Sequence, residues 1–218
     1  MATLRSGSFG GYYGSLQNES TPLTTEEMKQ NAIYIYSYLL ASGWSVNAIA
    51  GMLGNLQAES TINPGRWQSD DAGNTSMGYG LVQWTPSTKY TDWCSEQDIT
   101  DPSAMDSNLS RILYEVENSV QWISTSAYPL SFKDFSTSKA SVSELAKAFL
   151  LCYERPADQS ESVQEYRASL SLLWYSALTG ETPIEPETPT TTRKKKRSNY
   201  FLLFNQRKRR ETWTRKPF

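Results

Sequence analysis

Gly51-Met52-Leu53-Gly54-Asn55-Leu56-Gln57-Ala58-Glu59-Ser60 carries the strongest fold signal in this 218-residue chain. Together with Val46 and Ile49, its Met52, Leu53 and Leu56 recur at helical spacing, and Ser45 is placed to accept the first free backbone N–H groups. The pattern predicts a helix from Ser45 to Glu59. Gly51 and Gly54 oppose it, each costing up to ~1 kcal/mol against alanine in a helix. Close packing of a buried helix against its neighbours would account for both glycines. About twenty residues beyond Glu59 comes Gly78-Tyr79-Gly80-Leu81-Val82-Gln83-Trp84, which reads as a short strand or hairpin arm. The two segments set a carboxyl group at a helix end against a glycine-rich aromatic stretch.

Upstream, Thr24-Thr25-Glu26-Glu27 offers a capping box from Thr24 to Glu27. A helix is predicted to about Ser42, with Met28, Ala32, Ile35, Tyr36, Leu39 and Leu40 on one side and Gly43 as its stop. Residues 60–77 read as loop, through Pro64-Gly65, Asp70-Asp71 and Gly73-Asn74. Helical patterns return near 86–97, 106–124, 142–153 and 161–178, the third of these behind a second capping box at Ser141-Val142-Ser143-Glu144. There is no internal repeat, and the class is mainly α. Residues 1–24 read as a flexible leader rich in Gly, Ser and Tyr, without the apolar centre of a secretion signal. Residues 25–178 form the globular domain, 179–192 a Thr/Pro/Glu linker with little to bury, and 193–218 a basic, aromatic tail.

Composition narrows the chemistry. The chain has no histidine, so His-based triads, His zinc ligands and His acid–base work are excluded for it. Its two cysteines, Cys94 and Cys152, are too few for a zinc cluster or a disulfide framework and read as buried thiols, with one bridge as the alternative. No apolar stretch approaches the length of a membrane span. The net charge of −2 hides a division: residues 1–192 hold 10 basic and 22 acidic side chains, residues 193–218 hold 11 basic and one acidic.

Glu59 is the residue with chemistry to offer. A carboxyl group in apolar surroundings keeps its proton at higher pH, and a helix C-terminus disfavours negative charge in the same direction. Cleaving a glycosidic bond needs such a donor for the leaving oxygen. The alternative is a solvated glutamate at a helix end.

Gln57-Ala58-Glu59-Ser60 followed by residues 78–84 resembles the lysozyme superfamily, in which a Glu-Ser at a helix end faces a Gly-Leu-x-Gln strand, as in goose-type lysozymes and lytic transglycosylases. The longer run of residues 51–65, with residues 78–86 and Tyr153-Glu154-Arg155-Pro156, is similar to the phage tail lysozyme domain, especially that of tail-tip wall-degrading proteins of small short-tailed phages of Gram-positive bacteria. The match covers roughly residues 26–175. It implies an α+β lysozyme-like fold, a helical globule with a small β-hairpin beside the cleft.

The same resemblance implies a muramidase that cuts the β-1,4 bond between N-acetylmuramic acid and N-acetylglucosamine without a cofactor. Such a protein is made in the host cytoplasm and works from the phage tail tip on the host wall. Glu59 would be the general acid. Gly78, Tyr79 and Gly80 would admit the glycan to backbone amides, Gln83 would supply a hydrogen-bonding amide, and Trp84 an apolar face, with a buried Trp84 as the alternative. Tyr153 would be a cleft tyrosine or a core tyrosine. Asp70 and Asp71 are the candidates for a second carboxylate that orients water, or are simply solvated. Some members of the superfamily dispense with that carboxylate and close the sugar on itself, so hydrolase and lytic transglycosylase both stay open, as does a non-catalytic wall-binding module. Tail-tip lysins of this group can also carry a zinc peptidase domain, whose histidine ligands this chain lacks. The basic tail, with Tyr200-Phe201-Leu202-Leu203-Phe204 and Trp213 among its cations, is expected to contact a virion component, with teichoic acid, nucleic acid or plain solvation as alternatives.

Overall fold

Helix α2, Val46–Ser60, is the axis on which the domain is assembled, and its residues from Ala48 to Leu56 are all buried. The structure, a computed structural model, describes residues 2–14 and 22–185. In chain order these form strands β1 (Thr3–Gly7) and β2 (Gly10–Gly14), then helices α1 (Thr25–Ala41) and α2. There follow α3 (Thr88–Glu96), α4 (Met105–Asn118), α5 (Phe132–Thr137), α6 (Val142–Phe149) and α7 (Glu161–Thr179). A π-helical turn, Leu150–Glu154, continues α6. None of the described helices is long and apolar enough to cross a membrane. Residues 186–218, and with them half of the linker and the whole basic tail, lie outside the described residues.

The two glycines of α2 are explained by its neighbours α6 and α7. A methyl group at Gly54 would stand 2.6 Å from the Arg167 carbonyl oxygen, 2.6 Å from the Ser171 nitrogen and 2.1 Å from its Oγ. At Gly51 the same atom would lie 3.0 Å from the Ala146 nitrogen. Close approach also lets side chains stitch the helices together: Asn55 Nδ2 donates to the Ala146 carbonyl at 3.0 Å, and Ser171 Oγ to the Gly51 carbonyl at 3.1 Å. Gly54→Ala should therefore destabilise the protein although alanine is the better helix former. The clash is with backbone, which no rotamer change relieves, so the cost falls at the upper end of overpacking, about 3 kcal/mol. Thermal unfolding should show a Tm lower by about 6–12 °C for a domain of this size. An unchanged Tm would mean that α7 does not sit this close.

Both capping boxes form as read, Thr24 with Glu27 before α1 and Ser141 with Glu144 before α6. Three expectations are corrected. The supposed flexible leader contains the β1–β2 hairpin, paired antiparallel from Thr3 with Gly14 to Gly7 with Gly10. Two strands alone are marginal in water, and docking supplies the difference. Tyr12 is buried, Asn31 exchanges hydrogen bonds with the Tyr13 backbone at 2.6 and 2.7 Å, Arg5 pairs with Asp101, and Ser8 Oγ donates to Asp106 at 2.7 Å. The helix expected over 106–124 stops at Asn118. Ser119 turns left-handed at φ 54°, and the chain swings Trp122 onto Phe132, with ring centroids 5.0 Å apart. Finally, residues 78–84 make no strand ladder. They form a tight turn closed by single bridges from Tyr79 to Trp67 and to Trp84.

Candidate active site

The Glu-Ser pair at the end of α2 divides its labour. Ser60 is buried and its Oγ donates to the Leu81 carbonyl at 2.7 Å, pinning the 78–84 turn to the helix. Thr61 then ends the helix in the left-handed region, φ 55°. Glu59, one position earlier, faces a cleft of about 470 Å³. Residues 82–85 of the turn, Gln68, Lys89, Gln121 and residues 153–156 form the rest of its wall.

The turn is rigid for reasons its residues supply. Gly80 sits at φ +84°, and a Cβ there would meet Asn108 Oδ1 at 2.6 Å. That oxygen accepts from the Leu81 N–H at 2.9 Å, while Asn108 Nδ2 reaches the Pro102 and Ala104 carbonyls at 3.0 Å each. Gln83 Nε2 donates to the Arg66 carbonyl at 3.0 Å and the Gly80 carbonyl at 2.8 Å, so its amide nitrogen braces the turn from within. Trp84 stacks on Tyr90 at 4.4 Å, and Tyr79 lies between Trp67 and Tyr90.

Beneath this floor lies Glu115 of α4, fully buried. It accepts from Trp84 Nε1 at 3.0 Å, from Arg111 Nε at 2.9 Å and from the Tyr153 hydroxyl. One carboxyl group thus holds the turn and the π-helical segment in register. Burial pushes its pKa up, opposed by hydrogen bonds from Tyr153, Arg111 and Trp84 and by the Arg111 charge. Tyr153 itself is pushed well above the usual tyrosine range by burial and by the Glu115 charge.

Where the sequence points to apolar surroundings for Glu59, α7 supplies a cation. Arg167 Nη2 lies 2.6 Å from Glu59 Oε1, and its Nη1 donates to the Asn55 carbonyl at 2.9 Å. The second acidic group in the cleft is Glu154, which closes the π-helical turn. Its Oε1 is sealed from solvent and has no hydrogen-bond partner among the described residues. Burial first, then the Glu59 charge, push its carboxyl well above the ordinary range, and Arg167 opposes this.

Of the residues singled out from sequence, Glu59, Gln83, Trp84 and Tyr153 come together in the cleft wall. Gly78, Tyr79 and Gly80 are not part of it. Tyr79 is buried in the aromatic stack, and a Cβ on Gly78 would meet Thr85 Oγ1 at 2.9 Å, so these positions make room for the protein's own atoms. Asp70 and Asp71 also lie outside the wall: Asp70 is 3.4 Å from Arg66, and Asp71 accepts from Asn74 Nδ2 at 2.7 Å. Sequence reasoning missed Glu115, Arg167 and the place of Glu154 in the cleft. Glu154 belongs to the Tyr153-Glu154-Arg155-Pro156 motif, but nothing local marks which of these residues enters a cleft. Cys94 and Cys152 are both free and buried.

The profile of the phage tail lysozyme family matches residues 30–178. Morphogenesis protein 1 of Bacillus phage B103 is 51% identical over 159 residues, which cover 73% of this chain and 42% of that relative. The chain therefore spans about two-fifths of the relative's length. On the family match and this identity together, the chain belongs to the phage tail lysozyme family.

Proposed function

We propose that this protein is a tail-associated muramidase that cleaves the β-1,4 bond between N-acetylmuramic acid and N-acetylglucosamine in host peptidoglycan, opening the wall for genome delivery. The observation that carries the reading is the position of Glu59. A helix-end carboxyl group faces a cleft lined by Gln68, Gln83, Gln121 and Trp84, polar and aromatic residues of the kind that line a glycan groove. In the reaction the Glu59 carboxyl gives its proton to the glycosidic oxygen as the C1–O bond of the muramic residue breaks. Water adds to C1 from outside, and its proton returns to a carboxylate, restoring the starting state. The name of the B103 relative and the tail association of the family support a virion setting.

One observation favours a second reading. Asp70 and Asp71 lie outside the cleft wall, as in a lytic transglycosylase, which works without an acidic loop residue to orient water. There the C6 hydroxyl of the muramic sugar attacks C1 and an anhydro end forms. Mass analysis of muropeptides released from purified sacculi separates the outcomes. A hydrolase releases ends heavier by one water than the anhydro ends of a transglycosylase. Sacculi that bind the protein and release no sugar would overturn both readings in favour of a binding module.

The eleven cations of residues 193–218 are proposed to hold the protein to an acidic virion surface. Deleting those residues should leave cleavage of purified wall unchanged and lower the amount incorporated into particles. Normal incorporation of the shortened protein would remove the anchoring role.

A further inference from the structure

We propose that Arg155 and Lys89 form an anion-binding subsite of the cleft, which takes a free carboxylate of the peptide stem borne by the muramic sugar and makes the protein selective for peptide-bearing strands. The inference rests on the muramidase reading and adds to its cleft a second recognition element beside the sugar lining.

Cations are scarce in this domain, and most are already paired. Of the ten basic side chains in residues 1–192, six make ion pairs with carboxyl groups. Lys29, Lys89, Lys139 and Arg155 make none among the described residues, and two of these four border the cleft.

Arg155 is held in place by the chain around it. It ends the π-helical turn in the left-handed region at φ 49°, and its N–H donates to the Leu150 carbonyl at 2.8 Å. Gln121, also left-handed at φ 66°, sends Nε2 to the Tyr153 carbonyl at 3.1 Å. Arg155 Nη1 donates in turn to the Gln121 and Cys152 carbonyls, at 2.6 Å each. Residues other than glycine keep such a backbone only where the surrounding structure fixes it. Both protons of Nη1 are thus engaged. Nε and Nη2 have no hydrogen-bond partner among the described residues, and neither is sealed from solvent. These two nitrogens are the edge of the guanidinium that meets a carboxylate with two parallel hydrogen bonds.

The protein's own carboxyl groups leave this edge open. Glu59 is bonded to Arg167, and Glu115 to Arg111. Glu154 feels the charges of Arg167 and Arg155 but forms an ion pair with neither. Lys89, exposed on α3, adds a second positive charge to the cleft wall. The sugars of the glycan strand are N-acetylated and neutral. The muramic residue carries its peptide through an amide, and the peptide keeps free carboxylates. A peptide carboxylate is therefore the anion that the strand itself brings to the cleft, whereas the phosphate of a teichoic acid belongs to a second wall polymer.

The test compares kcat/KM for the wild-type protein, Arg155→Gln and Lys89→Gln on two preparations of peptidoglycan stripped of teichoic acid, one with free stem carboxylates and one with those carboxylates amidated. The wild-type protein should prefer the free carboxylates by about ten- to a hundredfold, the range of a charge-assisted hydrogen bond. Arg155→Gln should nearly abolish the preference, and Lys89→Gln should lower it by a smaller factor. A purely structural residue would lower both rates together and leave their ratio where it was, since only a direct contact couples a side chain to one group of the substrate. No preference in the wild-type protein, or a preference that survives Arg155→Gln undiminished, would overturn the inference. Should that variant fail to fold, an undiminished preference in Lys89→Gln has the same force. A preference that appears only on walls that keep their teichoic acid would assign the subsite to phosphate and overturn it as well. A wild-type protein that cleaves neither preparation would overturn the muramidase reading instead, and sedimentation with the same two preparations would then read the subsite by binding, equal binding overturning it.

Discussion

Glu59→Gln is expected to remove wall cleavage while leaving the fold in place. A positioned acid contributes about 10²–10⁴-fold to such a reaction, so release of reducing sugar from sacculi should fall by at least this factor. The amide keeps the size and an acceptor oxygen for Arg167 Nη2, which lies 2.6 Å from the carboxylate in the wild-type protein. It has no proton to give to the leaving oxygen. Circular dichroism should be unchanged and binding to intact sacculi retained, because the wall residues Gln83, Trp84 and Tyr153 are untouched. Wild-type rates from the variant would refute the assignment of Glu59 and leave Glu154 as the remaining acidic group of the cleft.

Glu115→Ala should have the largest effect on stability. The carboxyl group is fully buried and answers three donors, Trp84 Nε1, Arg111 Nε and the Tyr153 hydroxyl. Removing it leaves the Arg111 charge without its partner in a buried setting, a change that costs about 3–5 kcal/mol. In a domain of this size the Tm should drop by about 6–20 °C. Glutamine is no full rescue, since its single oxygen cannot serve all three donors and its NH2 group would face one of them. Loss of function should accompany loss of stability, because Trp84 and Tyr153 are the two cleft residues that Glu115 fixes. A cost below about 1 kcal/mol, the range of an exposed pair, would show that the network is not the support inferred for it.

The mutual dependence of Glu115, Trp84 and Tyr153 also explains which parts of the site are legible in the sequence. Trp84 is open to two readings there, a core residue or an apolar face toward sugar. It is both: nearly all of its surface is buried against Tyr90 and Glu115, and the remainder borders the cleft. Gln83 has a similar double character, with its nitrogen turned inward to the Arg66 and Gly80 carbonyls. The Gly78 and Gly80 pattern is legible as a demand for space. Thr85 and Trp84, which fill part of that space, come from the same turn, whereas Asn108, which fills the rest, is brought from α4 by the tertiary fold.

What the amino-acid order determined unaided was local. Two capping boxes, the helical spacing of α2 and the Glu-Ser at its end follow from interactions within a few residues, so α1, α2, α6, α7 and the candidate acid are each marked by their own stretch of chain. Tertiary structure alone decided the rest. Helix α5 has six residues, too few to show a period, and holds its place through Phe132 and Phe135 in the aromatic core. The β1–β2 hairpin has little intrinsic stability and forms against α1 and the start of α4. Above all, the character of a carboxyl group depends on what lies within a few ångströms of it. Glu59 meets Arg167 from 108 positions away, and one Glu154 oxygen is closed off from solvent by segments far from it in sequence. Burial and charge pairing are properties of space, and a chain acquires them only when distant segments close on one another.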